Sequence, residues 1–289
     1  MTKAARLRES LKSDHIIRVA GAHNGMSAKL VEEADFEAIW ASGLEISAAY
    51  GLPDTSIVTM TEFLEAATQM EFVTSIPIIA DCDTGYGDEC NVIHLVKHYE
   101  RRHVAAVCIE DKVFPKRNSF MRGPQSLESI EQFVSKIRAA KSAQQSPDFA
   151  VIARTEAFIA GLGLDVALTR AYAYAEAGAD IILVHSKAKT ATEIAQFMKH
   201  WTCPVPIAVV PTTYASTTTQ ELQDLGVKVV IYANQGMRAT VKAMRILFSD
   251  IARRGHASGR EDLMVSVQEI FALQGMDQPT PNRLNNQPL

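Results

Sequence analysis

Along the chain, short unbroken apolar runs alternate with longer stretches whose apolar residues return every third or fourth position. The first kind reads as buried strand and the second as helix packed on one face. Strands are expected over 16–20, 38–42, 77–83, 105–109, 149–154, 181–186, 206–211 and 228–233. Helices are expected over 2–12 (Leu7 and Leu11 one turn apart), 26–34, 60–72, 90–102, 126–143, 164–177, 190–201 and 218–225. The runs do not alternate apolar with polar, as befits parallel strands covered on both faces. Gly178 and Gly226 stand where helix stops belong, just ahead of the next strand. Eight such βα units predict an α/β fold, a closed (β/α)8 TIM-type barrel, with an open doubly wound sheet as the structural alternative.

Beyond the eighth unit, extra C-terminal helices are expected over 237–252 and 261–274, the latter with Leu263, Val267, Ile270 and Leu273. Residues 275–289 are polar and rich in Pro and Asn, and read as a loose tail. Division by a typical domain size would suggest two domains for 289 residues. Single barrels reach this length, however, and no repeat or low-complexity linker interrupts the chain, so 1–289 is read as one domain. Net charge −4 and a pI near 6.1 leave no basic footprint for nucleic acid. No apolar run approaches the roughly 18 residues of a membrane span, and residues 1–9 lack the apolar core of a signal peptide. Cys82, Cys90, Cys108 and Cys203 show no CxxC pairing, which favours reduced thiols and a cytoplasmic location.

The chemistry gathers where strands give out. The 77–83 strand ends in Asp81-Cys82-Asp83-Thr84-Gly85-Tyr86-Gly87, and the 105–109 strand ends in Glu110-Asp111-Lys112. In a barrel these C-terminal ends form the active-site face. Asp81 and Asp83 are two apart and share a face, while Cys82 points the other way as a buried structural thiol. Three carboxylates at adjacent strand ends are costly to bury unless a cation pairs them, and only Lys112 and Arg154 lie close in strand order. Ordinary salt bridging at the mouth is one reading; a divalent ion held by Asp81, Asp83 and Glu110 is the other. Hard oxygen donors favour Mg2+ or Mn2+ over zinc, with one carboxylate bound directly and the others through water.

Arg154 and His185 end the next two strands and suit an anionic group such as a carboxylate or phosphonate. Their plainer readings are a pair between Arg154 and Glu156, and a satisfied inner histidine. Ser42-Gly43-Leu44 presents backbone N–H groups to a carboxylate or oxyanion, although Ser-Gly also makes ordinary turns. His94 and His98, with His103 beyond, are read as a solvated helix face. Gly85-Tyr86-Gly87 and Gly161-Leu162-Gly163 lack the Lys-Ser/Thr spacing of a phosphate loop.

Three motifs together, 81–87, Glu110 to Ser119, and Ala153-Arg154-Thr155-Glu156-Ala157-Phe158, resemble those of the phosphoenolpyruvate mutase/isocitrate lyase superfamily over about residues 15–274. The resemblance implies a Mg2+-dependent barrel acting on small α-keto acids or their enolates. It also implies a homodimer or homotetramer in which a C-terminal helix packs on a neighbouring subunit. Carbon–carbon lyases of the superfamily carry Lys-x-Cys-Gly in the loop over the site, with the Cys as acid/base. This chain has Lys116-Arg117-Asn118-Ser119, which resembles the Lys-x-Asn-Ser of the mutases; phosphonopyruvate hydrolases tend to have Thr at the position of Asn118. Phe120 departs from the Leu usual in mutases. By this resemblance the candidate catalytic residues are Asp54, Lys116, Asn118, Ser119, Arg154 and His185. The candidate substrate-binding residues are Trp40, Ser42, Gly43, Leu44, Arg154 and His185. The expected reaction interconverts phosphoenolpyruvate and phosphonopyruvate, with hydrolysis of phosphonopyruvate as the alternative. Carbon–carbon lysis or oxaloacetate decarboxylation stands as a further alternative. Loop 114–125, with Pro115, Gly123, Pro124 and no apolar periodicity, is the expected lid.

Overall fold

Each apolar run pairs with the next in chain order, and the last returns to the first. In the computed structural model, which describes residues 1–276, the chain divides into two units, 1–237 and the described residues from 238 on. The first opens with α1 (Lys3–Lys12), β1 (Ile17–Ala22), α2 (Gly25–Glu33), β2 (Ala38–Ala41), α3 (Gly43–Ala49), α4 (Met60–Val73) and β3 (Ile78–Asp81). It continues with α5 (Glu89–Arg101), β4 (Ala106–Glu110), α6 (Ile130–Ala143), β5 (Ala150–Thr155), α7 (Gly163–Glu176) and β6 (Ile181–Val184). It ends with α8 (Thr192–His200), β7 (Ile207–Val209), α9 (Thr219–Asp224) and β8 (Val229–Tyr232). The strands form a closed parallel barrel in the order β1 to β8, with Ile17 opposite Val229 at the closing seam. The expected (β/α)8 architecture is therefore observed, and the open sheet is excluded.

Both faces of the strands are buried, which explains the unbroken runs. Ile17, Val19, Ile79, Ile152, Leu183 and Ile231 fill the barrel interior, joined by Leu7 of α1. The intervening residues, such as Ile39, Val107, Val151 and Ile182, meet Leu95, Ile137, Ala171 and Phe197 of the surrounding helices. Each such side chain contributes about 1.5–3 kcal/mol on burial. Cys108 faces the interior, whereas Cys82 packs between sheet and helices, opposite in sense to Asp81 as the period-two pattern requires. Capping boxes at Asn24, Thr59, Asp88, Ser129 and Thr218 set where five helices begin. Gly178 and Gly226 follow α7 and α9 with φ of +102° and +90°, the left-handed stop expected of them.

Four departures from the sequence pattern have a local cause. α3 is too short to show periodicity; Ser42 starts it by accepting from the Glu45 N–H at 3.3 Å. β3 stops at Asp81 because Asp83 is left-handed (φ 50°). Residues 126–128 do not open α6. They run back along 111–113, with Lys112 bridged to Leu127 and the Glu128 N–H bonded to the Asp111 carbonyl at 2.9 Å, and Ser129 then caps the helix. The helix expected over 261–274 is broken into a 3-10 turn (Glu261–Leu263) and α11 (Val267–Leu273), because Ser266 is extended and caps the latter.

α10 (Gln235–Arg254) crosses into the second unit, where Asp250 pairs with Arg253, Arg254 and Arg260 at 2.7, 2.9 and 2.8 Å. Most of the expected loose tail, 277–289, lies outside the described residues. No helix among the described residues is long and apolar enough to cross a membrane.

One close approach near the rim gives a stability test. A Cβ on Gly21 would sit 2.4 Å from the Ala233 carbonyl oxygen, where β1 meets the end of β8. Backbone cannot yield as a side-chain tip does, so Gly21→Ala is expected to destabilise the protein by about 1–3 kcal/mol in urea unfolding.

Candidate active site

Parallel strands deliver their C-terminal ends to one rim, and the pocket there collects side chains from the strand ends and the loops beyond them. Trp40, Ser42 and Leu44 come from β2 and the start of α3, Asp54 from the following loop, Asp81 from β3, Glu110 from β4 and Lys112 from just beyond it. Arg154 and His185 follow from the ends of β5 and β6, and Lys116, Asn118 and Ser119 reach in from the loop after β4. Register sets Glu110 directly beside Arg154. Of the residues expected at the site, Asp83 and Gly43 do not line the pocket but lie just behind Asp81. The Gly43 N–H donates to Asp81 Oδ2 at 3.3 Å and the Asp83 N–H to Asp81 Oδ1 at 3.4 Å. His94 and His98, with rings 4.1 Å apart, belong to α5 and not to this pocket.

Lys116 is the cation that strand order did not anticipate. Its Nζ lies 2.8 Å from Asp54 Oδ1 and 2.6 Å from Asp83 Oδ1. Burial opposes its charge, but the surrounding carboxylates win and hold the ammonium well above its usual range. Burial likewise opposes ionisation of Asp54, yet Lys116 and the Asn118 amide hold that carboxyl below its usual value. For Asp83 burial prevails, and its carboxyl is raised. Asn118 Nδ2 donates to Asp54 Oδ2 at 2.6 Å, while its Oδ1 accepts from the Phe120 N–H at 2.9 Å, so both ends of the amide are engaged.

Glu156 is the residue that the sequence reading undervalued, having weighed it only as a partner of Arg154. It is fully buried. Its Oε1 lies 2.6 Å from both Arg154 Nε and His185 Nδ1, and its Oε2 lies 2.6 Å from Ser119 Oγ and 3.0 Å from Lys112 Nζ. Lys112 in turn donates to Ser119 Oγ at 2.7 Å and to the Arg117 carbonyl at 2.8 Å, pinning the loop to the rim. Arg154 thus both pairs with Glu156 and lines the pocket. Burial lowers the His185 pKa against the pull of Glu156, so the imidazole is neutral near pH 7. Glu156 is held by Asp111, which accepts its N–H at 2.8 Å and is itself paired to Arg170 at 3.0 Å and Tyr174 at 2.7 Å. The sequence signals for Glu156 were its place two residues past Arg154, on the same side of the strand end, and its membership of the 153–158 motif.

The donor set fits a divalent cation. Asp54, Asp81, Asp83, Glu110 and Glu156 face Lys112, Lys116 and Arg154 in this buried rim, which leaves the formal charge two positive units short. Glu110 Oε1 is buried without a hydrogen bond and lies 3.9 Å from Lys112 Nζ, while Glu110 Oε2 lies 3.2 Å from Arg154 Nε. Burial, only partly offset by Arg154 and Lys112, pushes this carboxyl up to about 7. Among the described residues no three Cys, His, Asp or Glu side chains form a ready-made cage. A hard ion that retains much of its water shell suits such a site better than zinc does.

Comparison with known proteins places this geometry in a family. Residues 7–252 match the family model described as phosphoenolpyruvate phosphomutase. The chain is 47% identical over 277 residues to phosphoenolpyruvate phosphomutase of Tetrahymena pyriformis, covering 96% of this chain and 92% of that protein. The crystal structure of phosphoenolpyruvate phosphomutase from Streptomyces platensis subsp. rosaceus superposes with a TM-score of 0.94 at 49% identity, covering 95% of this chain and 96% of that one. A phosphonopyruvate hydrolase crystallised with oxalate and Mg2+ superposes at 0.90 with 44% identity, covering 96% of each chain.

Proposed function

The chain belongs to the phosphoenolpyruvate phosphomutase family, and from that membership we propose that it is an enzyme interconverting phosphoenolpyruvate and phosphonopyruvate. The observation that carries the mutase reading is Asn118, whose amide reaches from the loop into the pocket beside Asp54 and Lys116. Arg154 and the neutral His185 bind and orient the anionic end of the substrate, both fixed by Glu156. Lys116 and Asn118 hold the phosphoryl group while it passes between carbon and oxygen, and the loop over them excludes water. Asp81, Asp83 and Glu110 would hold Mg2+, or Mn2+ in its place, with Asp81 as the direct ligand and the other two acting through water. An ion held there would supply positive charge to the oxyanion that develops on the pyruvyl fragment.

Phosphonopyruvate hydrolysis is the second reading, favoured by the similarity to the hydrolase over nearly the whole chain. A carbon–carbon lyase is disfavoured, because Lys116-Arg117-Asn118-Ser119 offers no thiol. Cys82 and Cys108 are buried, and burial pushes both far above the usual thiol range. We also infer a cytoplasmic homodimer or homotetramer assembled through the C-terminal helix and acting in phosphonate biosynthesis. Support for assembly comes from the second unit, where Met244, Ile246, Phe248, Val267 and Phe271 are exposed. Sedimentation should find no monomer at micromolar concentration.

Phosphorus NMR of the protein with phosphonopyruvate and Mg2+ tests the reaction. Phosphoenolpyruvate is expected to appear. Accumulation of phosphate and pyruvate alone would replace the mutase by the hydrolase.

A further inference from the structure

Four loop residues line the pocket, Lys116, Asn118, Ser119 and Phe120, and only Phe120 is apolar. Its ring meets the His185 imidazole edge to face, with centroids 6.1 Å apart and planes at 79°. It is nonetheless 46% exposed, so it adds little to the core that holds the fold. A large aromatic left half in water in the middle of the loop, with its ring over a charged pocket, calls for another explanation.

The chemistry supplies one. A metaphosphate-like group in transit is intercepted by any water that reaches it. Lys116, Asn118 and Ser119 position such a group, but their polar atoms bond water as readily as phosphoryl oxygen. Shutting water out requires apolar surface. Phe120 also governs the holding group directly, since its backbone N–H bonds Asn118 Oδ1 and leaves Asn118 Nδ2 to Asp54. Ring and amide therefore move together with the loop.

We propose that Phe120 is the water barrier of the site, the residue that sets how the phosphoryl group is partitioned between the enolate oxygen and water. The inference rests on the phosphoryl-transfer reading above. Without the barrier, the carbon–phosphorus bond breaks with its electron pair left on the pyruvyl carbon. Water oxygen then bonds phosphorus, one water proton goes to that carbon to complete the methyl group of pyruvate, and the other stays on hydrogen phosphate. No oxidant or further reactant is needed.

The test follows phosphonopyruvate and Mg2+ by phosphorus NMR in 18O-labelled water for wild type, Phe120→Ala and Phe120→Leu. Wild type is expected to give phosphoenolpyruvate as its main product. Phe120→Ala should raise the ratio of phosphate to phosphoenolpyruvate by about tenfold or more, with one 18O in each phosphate, while Phe120→Leu keeps a ratio close to wild type. Folding and Mg2+ affinity should stay close to wild type in both, because the half-exposed ring adds little to the core. A Phe120→Ala variant that keeps the wild-type ratio, or that stops turning over without releasing phosphate, overturns the barrier and leaves the mutase reading standing. A wild type that yields only phosphate and pyruvate overturns both, since water would then enter with Phe120 in place.

Discussion

Asp81→Ala is expected to abolish Mg2+-dependent turnover, by a factor on the order of 10^3 or more, the loss of several kcal/mol of charge stabilisation. Asp81 is the carboxylate at the very end of β3 that lines the pocket, and two backbone N–H groups, from Gly43 and Asp83, hold its oxygens in place. Asp83 lies one layer back, engaged by Lys116 and by the Ser56 hydroxyl at 3.3 Å. Asp83→Ala should accordingly weaken apparent metal affinity about 10–100-fold, in the manner of an outer-layer group, and leave turnover at saturating metal largely intact. Calorimetric titration of Mn2+ or Mg2+ into each variant separates binding from rate. Should both variants keep the wild-type Mg2+ dependence, the ion binds elsewhere.

Asn118→Ala is expected to cut kcat about 10^2–10^3-fold, the usual cost of removing one preorganised donor from a reacting oxygen. Folding and Mg2+ affinity should hardly change. The loop around Asn118 keeps Phe114, Phe120 and Met121 nearly half exposed, so it lends little to the core, and Asn118 bonds Asp54 rather than Asp81. Asn118→Thr retains a short polar group without the amide, and should raise the share of phosphate relative to phosphoenolpyruvate by loosening the hold on the phosphoryl group. Stopped product assays by phosphorus NMR, with thermal unfolding as the folding control, check both. Near-wild-type rates and product ratios in the two variants would detach the loop from the chemistry and remove the mainstay of the mutase reading.

The Asn118 and Phe120 experiments differ in what they probe. Asn118 acts through a donor placed 2.6 Å from Asp54, so its removal falls on rate and its replacement by Thr on the product ratio as well. Phe120 acts through apolar surface, so its loss falls on the choice of acceptor.

By itself the amino-acid sequence determined the barrel and the acids on its rim. A strand buried on both faces must be apolar at every position, and a helix packed on one face must repeat every three or four; these are local properties, legible residue by residue. Because parallel strands all end at one rim, placing Asp81, Glu110, Arg154 and His185 at strand ends was enough to bring them to one pocket. Only the tertiary structure decided which cation meets which acid. Lys116 between Asp54 and Asp83, and Asn118 against Asp54 across 64 residues of chain, depend on how two loops with no periodicity close over the rim. Glu156 as the common partner of Arg154, His185, Ser119 and Lys112 likewise needs β5, β6 and the loop already in place. Turn chemistry settled the remaining boundaries: Ser129 postpones α6 and Ser266 starts α11, because a short side chain that bonds a backbone N–H begins a helix whatever the surrounding apolar pattern suggests.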